Sequence, residues 1–96
     1  MFEIRITDVF DRWLENLNDR RARSIILNRI DRITAGNLGD AKSVGGRVFE
    51  LRIFHGSGYR LYFSRKGSEL IVLLCGGDKS TQRKDIERAK RLQKDV

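Results

Sequence analysis

The chain has 96 residues, with 20 Lys and Arg against 13 Asp and Glu, one cysteine, one histidine and no proline, and a formal net charge of +7. That length holds one hydrophobic core. A lone Cys75 and a lone His55 exclude an internal disulfide, a cysteine-built metal site and the usual zinc constellations. So large a charge on so small a domain points to a polyanionic partner, either nucleic acid or an acidic protein that covers the basic face.

Phe2, Ile4 and Ile6 alternate with Glu3 and Arg5, the period of a half-buried strand. Val9, Phe10, Trp13, Leu14 and Leu17 then recur at helical spacing, with Thr7 or Asp8 as cap. After Asn18 and Asp19 a second helix carries Ala22, Ile25, Ile26, Ile30 and Ile33 on one stripe and a row of arginines on the others. Gly36 is placed to end it. Residues 36–46 read as a loop.

Three strands are expected next. Residues 47–54 put Phe49, Leu51 and Ile53 on one face and Glu50 and Arg52 on the other. Tyr59, Leu61 and Phe63 repeat the pattern beyond a His55–Gly58 turn. Residues 69–75 are apolar on both sides, as a central strand covered on both faces requires. Ser80 or Thr81 caps a last helix whose packing stripe is Ile86, Ala89, Leu92, Gln93 and Val96, with Gln82 and Asp85 on the same side. The expected order is β-α-α-β-β-β-α. This is one α+β domain over residues 1–96, a mainly antiparallel twisted sheet with the N-terminal helical hairpin on one face and a C-terminal helix.

The hairpin of residues 47–65 carries the sharpest argument. If the odd-numbered apolar residues of both strands share the core, a three-residue turn at His55-Gly56-Ser57 sets Arg52 directly opposite Arg60, and a five-residue turn sets them diagonally. Like charges so placed cost roughly 0.2–1 kcal/mol. Two things can offset that: Glu50 can neutralise the pair, or the pair can straddle a phosphate. Lys79 and the N–H donors of the last helix's start can converge on the same place.

Glu50-Leu51-Arg52, Gly58-Tyr59-Arg60-Leu61-Tyr62-Phe63, the Gly76–Gln82 segment and Lys84-Asp85-Ile86 resemble the HigB-like branch of the RelE/ParE toxin superfamily. Its members are commonly labelled phage-derived or addiction-module killer proteins, and the resemblance covers nearly the whole chain. It implies a microbial RNase type of fold and the toxin half of a type II toxin–antitoxin system. The implied activity is metal-independent, ribosome-dependent cleavage of mRNA with a 2′,3′-cyclic phosphate product and no cofactor.

By that resemblance Arg60 matches the strand arginine that contacts the scissile phosphate, and Arg52 and Lys79 match basic positions on the preceding strand and after the sheet. Relatives carry a tyrosine or histidine near the C-terminus; Asp85 stands there in this chain and is the expected general base, with His55 second. Gln82, Lys84, Arg88 and Arg47 are the expected RNA-binding residues. The implied partners are a helix-turn-helix antitoxin, the ribosome and mRNA, with operator DNA reached only through the antitoxin complex. The N-terminus reads as lacking a signal peptide, and no membrane partner is expected, so the cytoplasm is the expected location. Two other functions fit the same residues: a ParE-like DNA gyrase inhibitor that cuts nothing, and a plain basic RNA-binding module.

Overall fold

Strand β1 (Glu3–Ile6) runs into helix α1 (Asp8–Glu15) through Thr7, whose hydroxyl oxygen accepts from the Phe10 N–H at 3.1 Å and caps the first turn. Asp19 does the same for α2 (Arg20–Thr34), where its carboxylate accepts from the Ala22 N–H at 3.0 Å. The computed structural model describes residues 1–96. Four strands follow: β2 (Ala41–Gly45), β3 (Val48–Ile53), β4 (Tyr59–Lys66) and β5 (Leu70–Gly77). A single 3₁₀ turn (Lys79–Thr81) then leads into α3 (Gln82–Gln93).

The five strands form one sheet in the order β1-β5-β4-β3-β2, with β1 parallel to β5 and every other neighbour antiparallel. Helices α1 and α2 cover one face. There Phe10, Leu14, Ile26 and Ile33 pack on Leu51, Ile53, Leu61, Phe63, Ile71 and Leu73. Helix α3 covers the other, where Ala89, Ile86 and Leu92 meet Val48, Tyr62, Val72, Leu74 and Cys75. Burying each of the larger aliphatic side chains fully contributes on the order of 1.5–3 kcal/mol, so both layers are needed to hold the sheet.

Strand β5 serves both cores because its side chains alternate between the faces, and its pairing with β4 shifts between Tyr62 and Phe63. The irregularity leaves Leu74 and Cys75 together on the α3 side, while Ile71 and Leu73 stay on the other. Beyond it, Gly76 and Gly77 lie where neighbours approach too closely for a side chain. A Cβ on Gly76 would collide with the Trp13 ring, and one on Gly77 with the Asp85 carboxylate.

Three expectations need correction. The segment read as a loop at 36–46 contains β2, which pairs Ala41 with Leu51 and Lys42 with Glu50. It is a short edge strand whose alternation is broken by a register shift between Ser43 and Gly45, so its period is invisible in sequence. Thr81 stands at the N-cap position of α3, as expected, but the side-chain cap belongs to Asp78, on the preceding 3₁₀ turn. Its carboxylate accepts from the Ser80 N–H at 2.9 Å and closes the 3₁₀ turn as a capping box, and Thr81 makes no cap bond to α3. Val96 lies past the end of α3 and is 48% exposed, so it is no part of the packing stripe.

Candidate functional site

The β3–β4 hairpin sets the site. Its register pairs Arg52 with Arg60 and Ile53 with Tyr59, so the two arginines are directly opposite, as the three-residue turn requires, although the strands themselves stop at Ile53 and Tyr59. Alternation then puts both arginines, with Glu50 and Tyr62, on the α3 side of the sheet. Leu51, Ile53 and Leu61 face the helical hairpin.

Glu50 lies between the two cations. It is 1% exposed; Oε1 accepts from Arg52 Nε at 3.1 Å, and Oε2 accepts from Gln82 Nε2 at 2.9 Å and from the Tyr62 hydroxyl at 3.1 Å. Arg60 Nε is 3.6 Å from the same Oε2. Burial pushes the Glu50 carboxyl up, but the hydrogen bonds from Gln82, Arg52 and Tyr62 outweigh it and hold the group below the usual carboxylate range. Burial, followed by the adjacent Glu50 charge, drives the Tyr62 phenol strongly upward, so it stays a neutral donor. Neutralisation by Glu50, one of the two ways to offset the arginine pair, is therefore present in full.

It does not exhaust the donors. Arg60 is only 7% exposed, yet its Nε is buried with no hydrogen-bond partner, and Nη1 donates to the Gly58 carbonyl at 2.8 Å. That Nε is closed to solvent and faces Glu50 Oε2, so what Arg60 offers a ligand is the part of its guanidinium that lines the adjoining space. Next to it opens a cavity of about 400 Å³ lined by Arg52, Arg60, Lys79, Gln82, Gly58, Tyr59, Ile53 and Phe54. Three cations and an amide border it, while the one neighbouring carboxylate, Glu50, sits behind the arginines and outside the lining. Such a cavity favours an anion with several acceptor oxygens, and a phosphodiester fits that description.

Four of the expected residues thus come together: Arg52, Arg60, Lys79 and Gln82. The others do not join them. Asp85 accepts from the Thr81 hydroxyl at 2.5 Å and lines a neighbouring groove with Trp13, Asp78 and Arg88, which shares only Tyr59 with the cavity. Lys84 is exposed on α3, and Arg47 is exposed in the β2–β3 turn at the opposite end of β3 from Arg52, held there at φ +63°. His55 Nε2 is 3.3 Å from Asp19 Oδ2, which ties the β3–β4 turn to the start of α2 and keeps the imidazole out of the cavity lining. The free N–H donors expected at the helix start are partly consumed, since Asp78 takes the Ser80 N–H.

Four lining residues escaped the sequence reading as site groups: Ile53, Phe54, Gly58 and Tyr59. The signal for Phe54 was available: by the even–odd alternation of β3 it follows Arg52 on the same side. Cys75 is excluded as a nucleophile. Its thiol, pushed up to about 12 by burial, points at the Asp85 carbonyl at 3.5 Å. No group of three or more His, Cys, Asp and Glu side chains is placed to hold a metal ion, and no helix is long and apolar enough to cross a membrane.

Residues 12–94 match the family described as phage derived protein Gp49-like (DUF891). The chain is also 50% identical over 94 residues to a protein of Haemophilus influenzae (strain Rd) described as uncharacterized, a match that covers 98% of this chain and 95% of the relative. On both grounds the chain belongs to the phage-derived Gp49-like family, a family of the RelE/ParE toxin type.

Proposed function

We propose that this protein is the toxin of a type II toxin–antitoxin system and that it arrests translation as a ribosome-dependent mRNA endoribonuclease of HigB kind. The observation that carries the proposal is the cavity bordered by the largely buried Arg60, a second arginine, a lysine and a glutamine. The Gp49-like family supports the toxin reading at large.

In such a cleavage the ribose 2′-oxygen attacks the adjacent phosphorus and the bond to the 5′-oxygen breaks, leaving a 2′,3′-cyclic phosphate. One proton leaves the 2′-hydroxyl and one joins the departing 5′-oxygen. Negative charge grows on the non-bridging oxygens. Arg60 and Arg52 act there, and because Glu50 fixes both guanidinium groups they need no reorganisation when the charge appears. Gln82 is fixed by the same carboxylate and positions the nucleotide. Lys79, exposed at the rim, adds charge and can protonate the leaving oxygen.

The cavity lining holds no carboxylate or imidazole. Glu50 is a poor base because Gln82, Arg52 and Tyr62 hold it ionised, and Asp85 is turned to Thr81. This site therefore stabilises charge and, through Lys79, can supply one proton, and removal of the 2′-hydroxyl proton is assigned to the ribosome. The partner that neutralises the protein in this reading is its antitoxin.

The test is 5′-end mapping of mRNA in cells and in a ribosomal translation reaction, with wild type and Arg60→Ala. Cuts in translated frames that vanish with the variant support the proposal. Growth arrest without cuts, accompanied by altered DNA supercoiling, would replace it with gyrase inhibition.

A further inference from the structure

The cavity has a neighbour that the proposed chemistry does not use. Phe54, just past β3, is 82% exposed, although a phenylalanine of that exposure gains nothing for the fold. It lines the anion cavity on one side. On the other it lines a second cavity of about 350 Å³ with Asp40, Ala41, Lys42 and Arg52. Arg52 also borders both. The ring and the guanidinium thus form the divide between two openings on the same side of the hairpin. Strand β2 provides the far wall, since Lys42 pairs with Glu50 across the β2–β3 ladder.

We propose that this second cavity is a nucleobase subsite for the nucleotide next to the phosphate held by Arg60, with the base stacked on Phe54. The inference rests on the phosphate reading of the first cavity and adds to it the substrate form: a single strand with its bases turned out. The chemistry of the lining fits. A base carries both donors and acceptors on its edge; Lys42 supplies donors, and the Asp40 carboxylate accepts from an exocyclic amine or ring N–H but would repel a second phosphate. A ring face of this kind accepts any base, and Arg52 beside it can contact the connecting backbone. A duplex, whose bases are stacked internally, has nothing to place on Phe54.

The experiment measures binding by fluorescence anisotropy of labelled 2′-deoxy hexanucleotides, which offer phosphates and bases but no internal nucleophile. One probe is intact and one is abasic at every position. Phe54→Ala should weaken the intact probe roughly 5- to 100-fold and leave the abasic probe unchanged, while Phe54→Trp should retain binding. Arg60→Ala should weaken both. Equal binding of the intact probe by wild type and Phe54→Ala, or equal loss for both probes, overturns the subsite while leaving the phosphate site standing. Failure of Arg60→Ala to affect either probe, or no binding at all, overturns the phosphate reading and the subsite with it. If Phe54→Ala leaves both probes unchanged but weakens the antitoxin complex, the ring belongs to the protein interface and the subsite is wrong.

Discussion

The two faces of the sheet are built by the same strands and do different work. Under α1 and α2 the core is hydrocarbon and aromatic from Phe10 to Leu73, with no buried charge among its members. Under α3 the same strands present Glu50, Arg60 and Ser64, all buried, beside Tyr62 and Cys75. Both side-chain atoms that are buried without a hydrogen-bond partner, Arg60 Nε and Ser64 Oγ, belong to strand β4 at positions that alternate away from Leu61 and Phe63. Both faces bury apolar side chains and stabilise the fold, but only the α3 face also holds charges where a ligand can meet them. Because side chains alternate along a strand, a chain this short can do both without separate domains.

The contrast can be broken most sharply at Arg60. Arg60→Ala should lower the rate of mRNA cleavage by about 10²–10³-fold, the usual cost of removing one donor aimed at a developing oxyanion, as read from initial rates of cut-end appearance in a translation reaction. A loss below tenfold would mean that the charged face is structural.

Next is Glu50→Ala, which leaves Arg60 buried without its counter-charge and should destabilise the protein by roughly 3–5 kcal/mol in urea unfolding. Its acid limb sharpens the point. A carboxylate whose folded pKa lies below its ordinary value of 4.5 stabilises the fold above that pH, and loses the contribution as pH falls through the folded pKa. The melting temperature of wild type should therefore fall more steeply below pH 4.5 than that of Glu50→Gln. Asp19 and Asp78, lowered chiefly by the Ala22 N–H and the Ser80 side chain respectively, titrate with the same sign in both proteins, so the difference isolates Glu50.

On the opposite face Ile26→Val should cost about 1 kcal/mol of stability and leave cleavage per folded molecule unchanged. A matching loss of activity would tie the two faces together. The smallest effect belongs to Cys75. With its thiol pushed up to about 12 by burial, the native protein should resist alkylation by iodoacetamide at pH 8 for hours and react promptly once unfolded.

Much of this architecture was legible in the sequence because it rests on local periodicity. The spacing of Val9 to Leu17 and of Ala22 to Ile33 marks α1 and α2, and the odd–even pattern of residues 47–63 marks β3 and β4 and their inward faces. The parity of that pattern also limits Arg52 and Arg60 to facing each other directly or diagonally, and the structure has them directly opposite. What sequence could not carry was decided by contacts between distant segments. Strand β2 exists because the exposed edge of β3 accepts it, despite a broken pattern. Asp85, on the expected side of α3, is turned from the arginines to Thr81 by its seat beside the bare backbone of Gly77. Glu50, 32 residues from Gln82 in the chain, becomes the centre of the site only when α3 closes over the sheet. Periodicity reports which face a residue takes; which partner it meets there depends on how the layers pack, and that information is spread over the whole chain.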